Sequence, residues 1–182
     1  MEDRVMIVLP DGLDWVVAFF GALQAGATVL FLNHKLSEEE LAFYLADSRA
    51  RTLITNQAVV DRCRPQSEHL RGGVFVCDGD GAEELAGHEP SHVCAETLEE
   101  DFAIWLYSSG STGAPKAAVH RAYDFVYNTE RYAREVLQFG PDDVTLSVPK
   151  LFFGYATGTN LLFPFFYGGT AVLFPDRPTP AR

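Results

Sequence analysis

The chain has 182 residues, of which 47% are apolar and 21% charged, and a formal net charge of −11. That length supports one sizeable core, the balance excludes a disordered chain, and the acidity without any run of Lys and Arg excludes a basic nucleic-acid-binding face. Cys63, Cys77 and Cys94 are widely spaced and form no C-x-x-C pair, which supports neither a disulfide framework nor a zinc ribbon and fits a reducing, cytoplasmic compartment.

Val5–Leu9 is a short apolar run ended by Pro10-Asp11-Gly12, which predicts a buried strand and a turn. Asp14 is placed to cap a helix over Trp15–Gln24, and Gly26 ends it. Thr28–Leu32 predicts a second buried strand. Ser37 stands three residues before Glu40, the spacing of a capping box, and opens a helix to about Asp47 with Leu41, Tyr44 and Leu45 on one face. Glu38–Glu40 is then the solvated first turn of that helix. A third strand at Arg51–Thr55, a polar helix over Ala58–Arg64 and a fourth strand at Val74–Cys77 follow. Gly79–Glu100 is acidic and poor in pattern, so it reads as a surface loop or linker. Phe102–Tyr107 predicts a strand running into a Gly/Ser/Thr loop, and a helix is expected over about Ala122–Leu137. Val144–Val148 predicts a strand, the region near Gly158–Tyr167 a helix, and Thr170–Phe174 a last strand.

This alternation implies an α/β fold with mainly parallel sheets covered by helices. Two uncharged runs, Trp15–Leu32 and Leu151–Phe174, approach membrane-spanning length. Gln24, Ala25 and Gly26 interrupt the first, and Gly158, Asn160, Pro164, Gly168 and Gly169 the second, so helix–turn–strand is the expectation and no membrane span is assigned. The start, Met-Glu-Asp-Arg, lacks the basic-then-apolar order of a signal peptide.

The chemistry concentrates in Tyr107-Ser108-Ser109-Gly110-Ser111-Thr112-Gly113-Ala114-Pro115-Lys116, expected to follow a strand and precede a helix. Gly110 and Gly113 let backbone N–H groups approach a ligand. Ser108, Ser109, Ser111 and Thr112 add hydroxyl donors for phosphate oxygens, and Lys116 adds a compact positive charge. It is not a Walker A loop: counting from Gly110, that order needs Gly at 115, where Pro115 stands. No Gly-x-Ser-x-Gly nucleophile elbow and no Gly-x-Gly-x-x-Gly occurs.

Tyr107–Lys116, with the Val119-His120 pair after it, closely resembles the phosphate-binding loop of the adenylate-forming superfamily of acyl-CoA and aryl-CoA synthetases and luciferases. The resemblance implies that Ser108, Ser109, Gly110, Ser111, Thr112, Gly113, Ala114, Pro115 and Lys116 bind ATP, and that Lys116 and Thr112 are catalytic, the lysine assisting pyrophosphate departure. Many relatives carry Gly after that lysine; this chain has Ala117-Ala118. Lys150-Leu151-Phe152-Phe153-Gly154-Tyr155-Ala156-Thr157-Gly158 and Arg177-Pro178-Thr179-Pro180 resemble the benzoate–CoA ligase branch, as does the stretch from Leu9-Pro10-Asp11 to Gly26. In that branch the residues after Phe-Phe commonly read Ala-Tyr and line the aryl pocket, which implies a substrate pocket at Phe153, Gly154 and Tyr155. Gly154 removes a methyl group there and is expected to admit a substituted ring. The other reading of Phe152, Phe153 and Tyr155 is as core residues.

The resemblance implies an ATP-dependent acid–CoA ligase: an aryl or acyl carboxylate reacts with ATP to give acyl-AMP, and coenzyme A then takes the acyl group, with Mg2+ neutralising the phosphates. The family usually runs to about three times this length, several domains by ordinary domain size. The chain is therefore expected to be a partial N-terminal AMP-binding domain, with the Mg2+-coordinating Glu, the ribose-binding Asp and the mobile C-terminal domain lying beyond Arg182, and to be incompetent alone. The rival expectation is a non-catalytic α/β module that binds a partner or self-associates through exposed apolar surface, or a truncated gene remnant that retains the fold. His88, His92 and Cys94 read as parts of a solvated loop, so no metal ligand is assigned. His34 and His69 have no sequence partner. His120 is expected to border the nucleotide or pack the loop, with no orienting group evident for general-base work.

Overall fold

The computed structural model describes residues 3–65, 70–78, 87–89, 93–108 and 113–177. The elements in chain order are β1 (Arg4–Val8), α1 (Leu13–Gln24), β2 (Thr28–Phe31), α2 (Glu38–Ser48), β3 (Thr52–Thr55), α3 (Gln57–Cys63), β4 (Gly73–Val76), β5 (Phe102–Ser108) and β6 (Lys116–Arg121). Then come α4 (Ala122–Asn128), which runs on as a π-helical stretch over Thr129–Arg134, and β7 (Val144–Leu146). A further helix starts as α5 (Gly154–Thr157), passes through a π-helical stretch at Gly158–Leu162 and ends as α6 (Phe163–Tyr167), before β8 (Thr170–Val172).

Among the described residues, one sheet has the order β4-β3-β1-β2-β5-β6 and a second pairs β7 with β8. Strands β1 to β5 pair in parallel, as do β7 and β8; only β5 and β6 are antiparallel. Strands buried on both faces read as continuous apolar runs, and Thr28–Phe31 is buried at every position. One core packs α1 and Leu151 and Leu161 on β1, β2 and β5; Trp15 stacks on Phe19 at 5.2 Å and meets Phe31 edge-on at 5.3 Å. A second core packs Leu41 of α2 and Val59 and Cys63 of α3 on β1 and β3.

The Ser37–Glu40 capping box forms as expected: the Glu40 N–H donates to Ser37 Oγ at 3.2 Å, and the Ser37 N–H donates to Glu40 Oε2 at 2.7 Å. Leu41 is buried, with Tyr44 and Leu45 packed on the same core. Asp14 does not cap α1. The cap position is Gly12 and Asp14 lies in the first turn, because the helix begins at Leu13. The cap of α3 is Asn56, whose side chain accepts from the Val59 N–H at 3.1 Å.

The largest departure lies after the phosphate-loop motif. Lys116–Arg121 is a strand, antiparallel to β5, so the motif joins two strands; the helix that follows, α4, begins at Ala122 as expected. Lys and Ala are poor strand formers. The six-residue stretch Lys-Ala-Ala-Val-His-Arg is extended because β5 offers it a ladder, with Tyr107 opposite Ala117 and Ser108 opposite Lys116. The later helix also starts at Gly154, four residues before the expected position. Pro164 is accommodated because it falls in the first turn of α6, where the preceding π-helical stretch ends. Each uncharged run folds as helix then strand, and among the described residues no helix is long and apolar enough to cross a membrane. In the acidic segment, residues 93–97 have no helix or strand, and the Ala95 N–H donates to the Gln24 carbonyl at 2.8 Å.

Candidate functional site

Strands β1, β2 and β5 run in one direction. Asp11 after β1, His34 and Lys35 after β2, and Ser108 at the end of β5 therefore emerge along the same edge of the sheet. In open parallel sheets the carboxyl edge is where ligands bind.

Ser108 is exposed and is the last residue of β5, paired across the ladder with Lys116, the exposed first residue of β6. Among the described residues no ion pair or hydrogen bond engages the Lys116 ammonium. Ser109, Gly110, Ser111 and Thr112 lie outside the described residues. Gly113, with φ 134°, adopts a conformation that favours glycine, while a Cβ there would meet nothing within 4 Å. Backbone geometry is thus the constraint at Gly113. Ala114 is exposed and Pro115 half-buried. Among the described residues the loop is flanked by two strands, so no helix begins directly at its end. Ala117 sits in regular extended backbone opposite Tyr107, so the departure from glycine fits the strand without positive φ.

The base of the hairpin is braced from the side. The Tyr107 hydroxyl donates to Asp47 Oδ2 at 2.6 Å, and its ring meets Tyr44 edge-on at 4.7 Å. Burial first, and then this bond to a carboxylate, push the Tyr107 phenol above its ordinary range. Asp47 lies on the polar side of α2 and carries no local motif, so only the tertiary fold reveals this brace.

Lys116 and His120 share one face of β6, but they stand four steps apart along the strand, about 13 Å. His120 instead packs edge-on against Phe125 at 5.8 Å. An orienting group does exist: Asp124 Oδ2 lies 3.5 Å from His120 Nδ1. Asp124 is held below the usual carboxylate range, first by the Arg121 N–H. This pair was hidden because it forms across the strand-to-helix junction that the sequence did not reveal.

Phe153 and Tyr155 are 53% and 67% exposed, so neither is a core residue, whereas Phe152 packs against the main core. Phe153 caps α5 and Gly154 and Tyr155 form its first turn. A Cβ on Gly154 would lie 2.8 Å from Leu106 Cδ1. The room left by the missing methyl is therefore filled by Leu106 and does not enlarge a pocket for a substituted ring. The same contact brings the two sequence-marked segments together, since Leu106 stands two residues before Ser108 on β5.

Asp11 is buried and accepts from the Leu151 N–H at 3.0 Å. Burial raises its carboxyl, and the Leu151 N–H and the nearby Lys150 partly offset that. Lys150 Nζ donates to the Phe174 carbonyl at 2.6 Å and lies 3.7 Å from the centre of the Phe174 ring. His34, beside Lys35, Arg62 and Lys150, is driven towards the neutral form, mainly by burial. Cys77 is pushed up to about 11 by burial, so it is no nucleophile at neutral pH. His88 and Cys94 are exposed and His92 lies outside the described residues; among the described residues no group of three or more His, Cys, Asp or Glu could hold a metal.

The α/β sheet places the Ser/Lys hairpin ends at its carboxyl edge, and the chain belongs to the AMP-binding enzyme family, whose family model matches residues 1–182. It is similar to the benzoate–CoA ligase of Thauera aromatica, with 39% identity over 99% of this chain and 35% of that protein. Among solved structures it is similar to a benzoate CoA ligase from Burkholderia xenovorans LB400, with 33% identity and a TM-score of 0.85, covering 98% of this chain and 36% of that one. It is also similar to the anthranilate CoA ligase AuaEII in complex with anthranoyl-AMP, with 30% identity and a TM-score of 0.88, covering 97% of this chain and 35% of that one. The chain thus spans about a third of the length of the relatives it matches.

Proposed function

We propose that the chain is the part of an ATP-dependent aryl acid–CoA ligase that holds the triphosphate of ATP and one wall of the acid pocket. The observation that carries this reading is the contact of Gly154 with Leu106. It sets the aromatic segment against the strand that ends at Ser108, beside Lys116. A flat acid bordered by Phe153 and Tyr155 would then present its carboxylate towards the hairpin.

In the first half-reaction a carboxylate oxygen bonds to the α-phosphorus and the α–β phosphoanhydride bond breaks, so the electron pair leaves with pyrophosphate. Lys116 and the hydroxyls of Ser108, Ser109, Ser111 and Thr112 meet the charge that grows on the leaving group. In the second half-reaction the coenzyme A sulfur bonds to the acyl carbon, its proton is lost, and the acyl–oxygen bond breaks to release AMP. Magnesium is implied by the chemistry; among the described residues no group of three or more His, Cys, Asp or Glu could hold it. Cytoplasmic action belongs to the same proposal, supported by three free cysteines.

Titration of the chain with ATP–Mg2+ tests this. Lys116→Ala should weaken binding by about tenfold, equivalent to about 1.4 kcal/mol. Equal affinity in wild type and variant, or no binding at millimolar ATP, would sink the reading.

A second reading, a module that pairs with itself or a partner, is favoured by Val144, Leu146 and Val148, each at least 64% exposed along β7 and just beyond. Parallel sheets are ordinarily covered on both faces. Sedimentation of the chain at several concentrations decides it: a concentration-independent monomer ends the self-association reading.

A further inference from the structure

Leu151 opens the segment that leads to Phe153, Gly154 and Tyr155, and it is fully buried. Side chains satisfy both of its backbone polar groups. Its N–H donates to Asp11 Oδ1, 140 residues away in sequence. Its carbonyl accepts from the Thr157 hydroxyl at 2.7 Å, and the Phe153 carbonyl lies 3.2 Å from the same hydroxyl. The Phe153 N–H closes the turn on the Lys150 carbonyl at 2.9 Å. Downstream of these bonds the chain turns outward, and Phe153 and Tyr155 are exposed.

Asp11 costs more to bury than a neutral acceptor would. It sits at the carboxyl end of β1, the most central parallel strand, flanked by β2 and β3. Asp11 follows the buried end of that strand by three residues, and its bond to Leu151 ties the surface segment to it. A buried N–H left without its acceptor is destabilised by about 1–3 kcal/mol. Without Asp11 the turn would open towards water rather than stay in register with Leu106.

We propose that Asp11 is a positioning residue of the acid site, holding Leu151 so that Phe153 and Tyr155 keep their place beside β5. The inference rests on the reading of residues 153–155 as a wall of the acid pocket. It predicts that Asp11 acts on the acid and not on ATP.

The test compares wild type, Asp11→Asn and Asp11→Ala. Amide hydrogen exchange follows Leu151–Thr157, with Met6 and Leu30 as core controls, and benzoate and ATP–Mg2+ are titrated separately. Asp11→Ala should speed exchange at Leu151 by about tenfold and weaken benzoate by a similar factor, with ATP affinity within about twofold. Asp11→Asn, which keeps an acceptor for the N–H, should restore both. Unchanged exchange in Asp11→Ala overturns the clamp. Faster exchange with unchanged benzoate affinity, or equal loss of benzoate and ATP, overturns the positioning role. No benzoate binding by wild type overturns the acid-pocket reading, and the exchange data still judge the clamp. If Asp11→Ala does not fold, Thr157→Val frees the Leu151 carbonyl and poses the same question, with Thr157→Ser as its rescue.

Discussion

The two halves of the molecule are built differently. In the parallel part, β1 ends in three buried residues and β2 is buried throughout. In the part from β6 onward, β6, β7 and β8 have no buried position. The first half takes its stability from apolar burial on both faces of a sheet. The second presents side chains to solvent from short ladders, and it meets the first through Leu151 and Leu161, buried in the shared core, and through the contacts of Leu106 with Gly154 and Asp11 with Leu151. Stability and ligand contact should therefore respond to different substitutions.

The sharpest division is expected at Phe19, fully buried and stacked on Trp15. Phe19→Ala should remove about 3–5 kcal/mol in urea unfolding; a loss below about 1 kcal/mol would mean that the α1 core is not the stabilising half. Next comes the joint between the halves. Gly154→Ala should change stability by no more than about 1 kcal/mol, because the Leu106 methyl it meets is the free end of a side chain and Ala favours the helix over Gly. Combined with Leu106→Val, the two changes should be non-additive by about 0.5 kcal/mol or more in unfolding experiments. Strict additivity would break the joint as described. Ser37→Ala removes the cap of α2 and should cost about 1 kcal/mol by the same measurement.

A smaller, pH-dependent difference is expected at Asp11. Its carboxyl is raised above the ordinary 3.8, chiefly by burial, so the folded state binds the proton more tightly than the unfolded state. The contribution is full below the unfolded value and is lost as pH rises through the folded one. Wild type should thus lose stability relative to Asp11→Asn as pH climbs from about 4 to neutrality. The opposite slope would show that the Leu151 N–H and Lys150 outweigh burial. The smallest effect on stability belongs to Lys116→Ala, within about 0.5 kcal/mol, because the exposed ammonium has no partner among the described residues. A larger loss would mean that the hairpin end belongs to the stabilising half after all.

Local signals carried much of this far. Val5–Leu9 and Thr28–Leu32 name buried strands because parallel strands covered on both faces read as apolar runs. Ser37 and Glu40 name a helix start because the capping bonds lie within four residues. The ten-residue phosphate motif and the Lys150–Gly158 block carry the family through residue order, and the match over residues 1–182 bears it out.

Tertiary structure decided what depends on distant partners. Lys116–Arg121 becomes a strand because β5 lies beside it, against the propensity of its own residues. Gly154 looked like a widened pocket until Leu106, 48 positions earlier, filled the space. Pro10-Asp11-Gly12 reads as a turn, yet Asp11 accepts a bond from Leu151, and no local pattern encodes a partner 140 residues away. Short-range hydrogen bonds and apolar period are written into neighbouring residues. Close packing and long-range polar closure exist only once the chain has brought remote segments into contact.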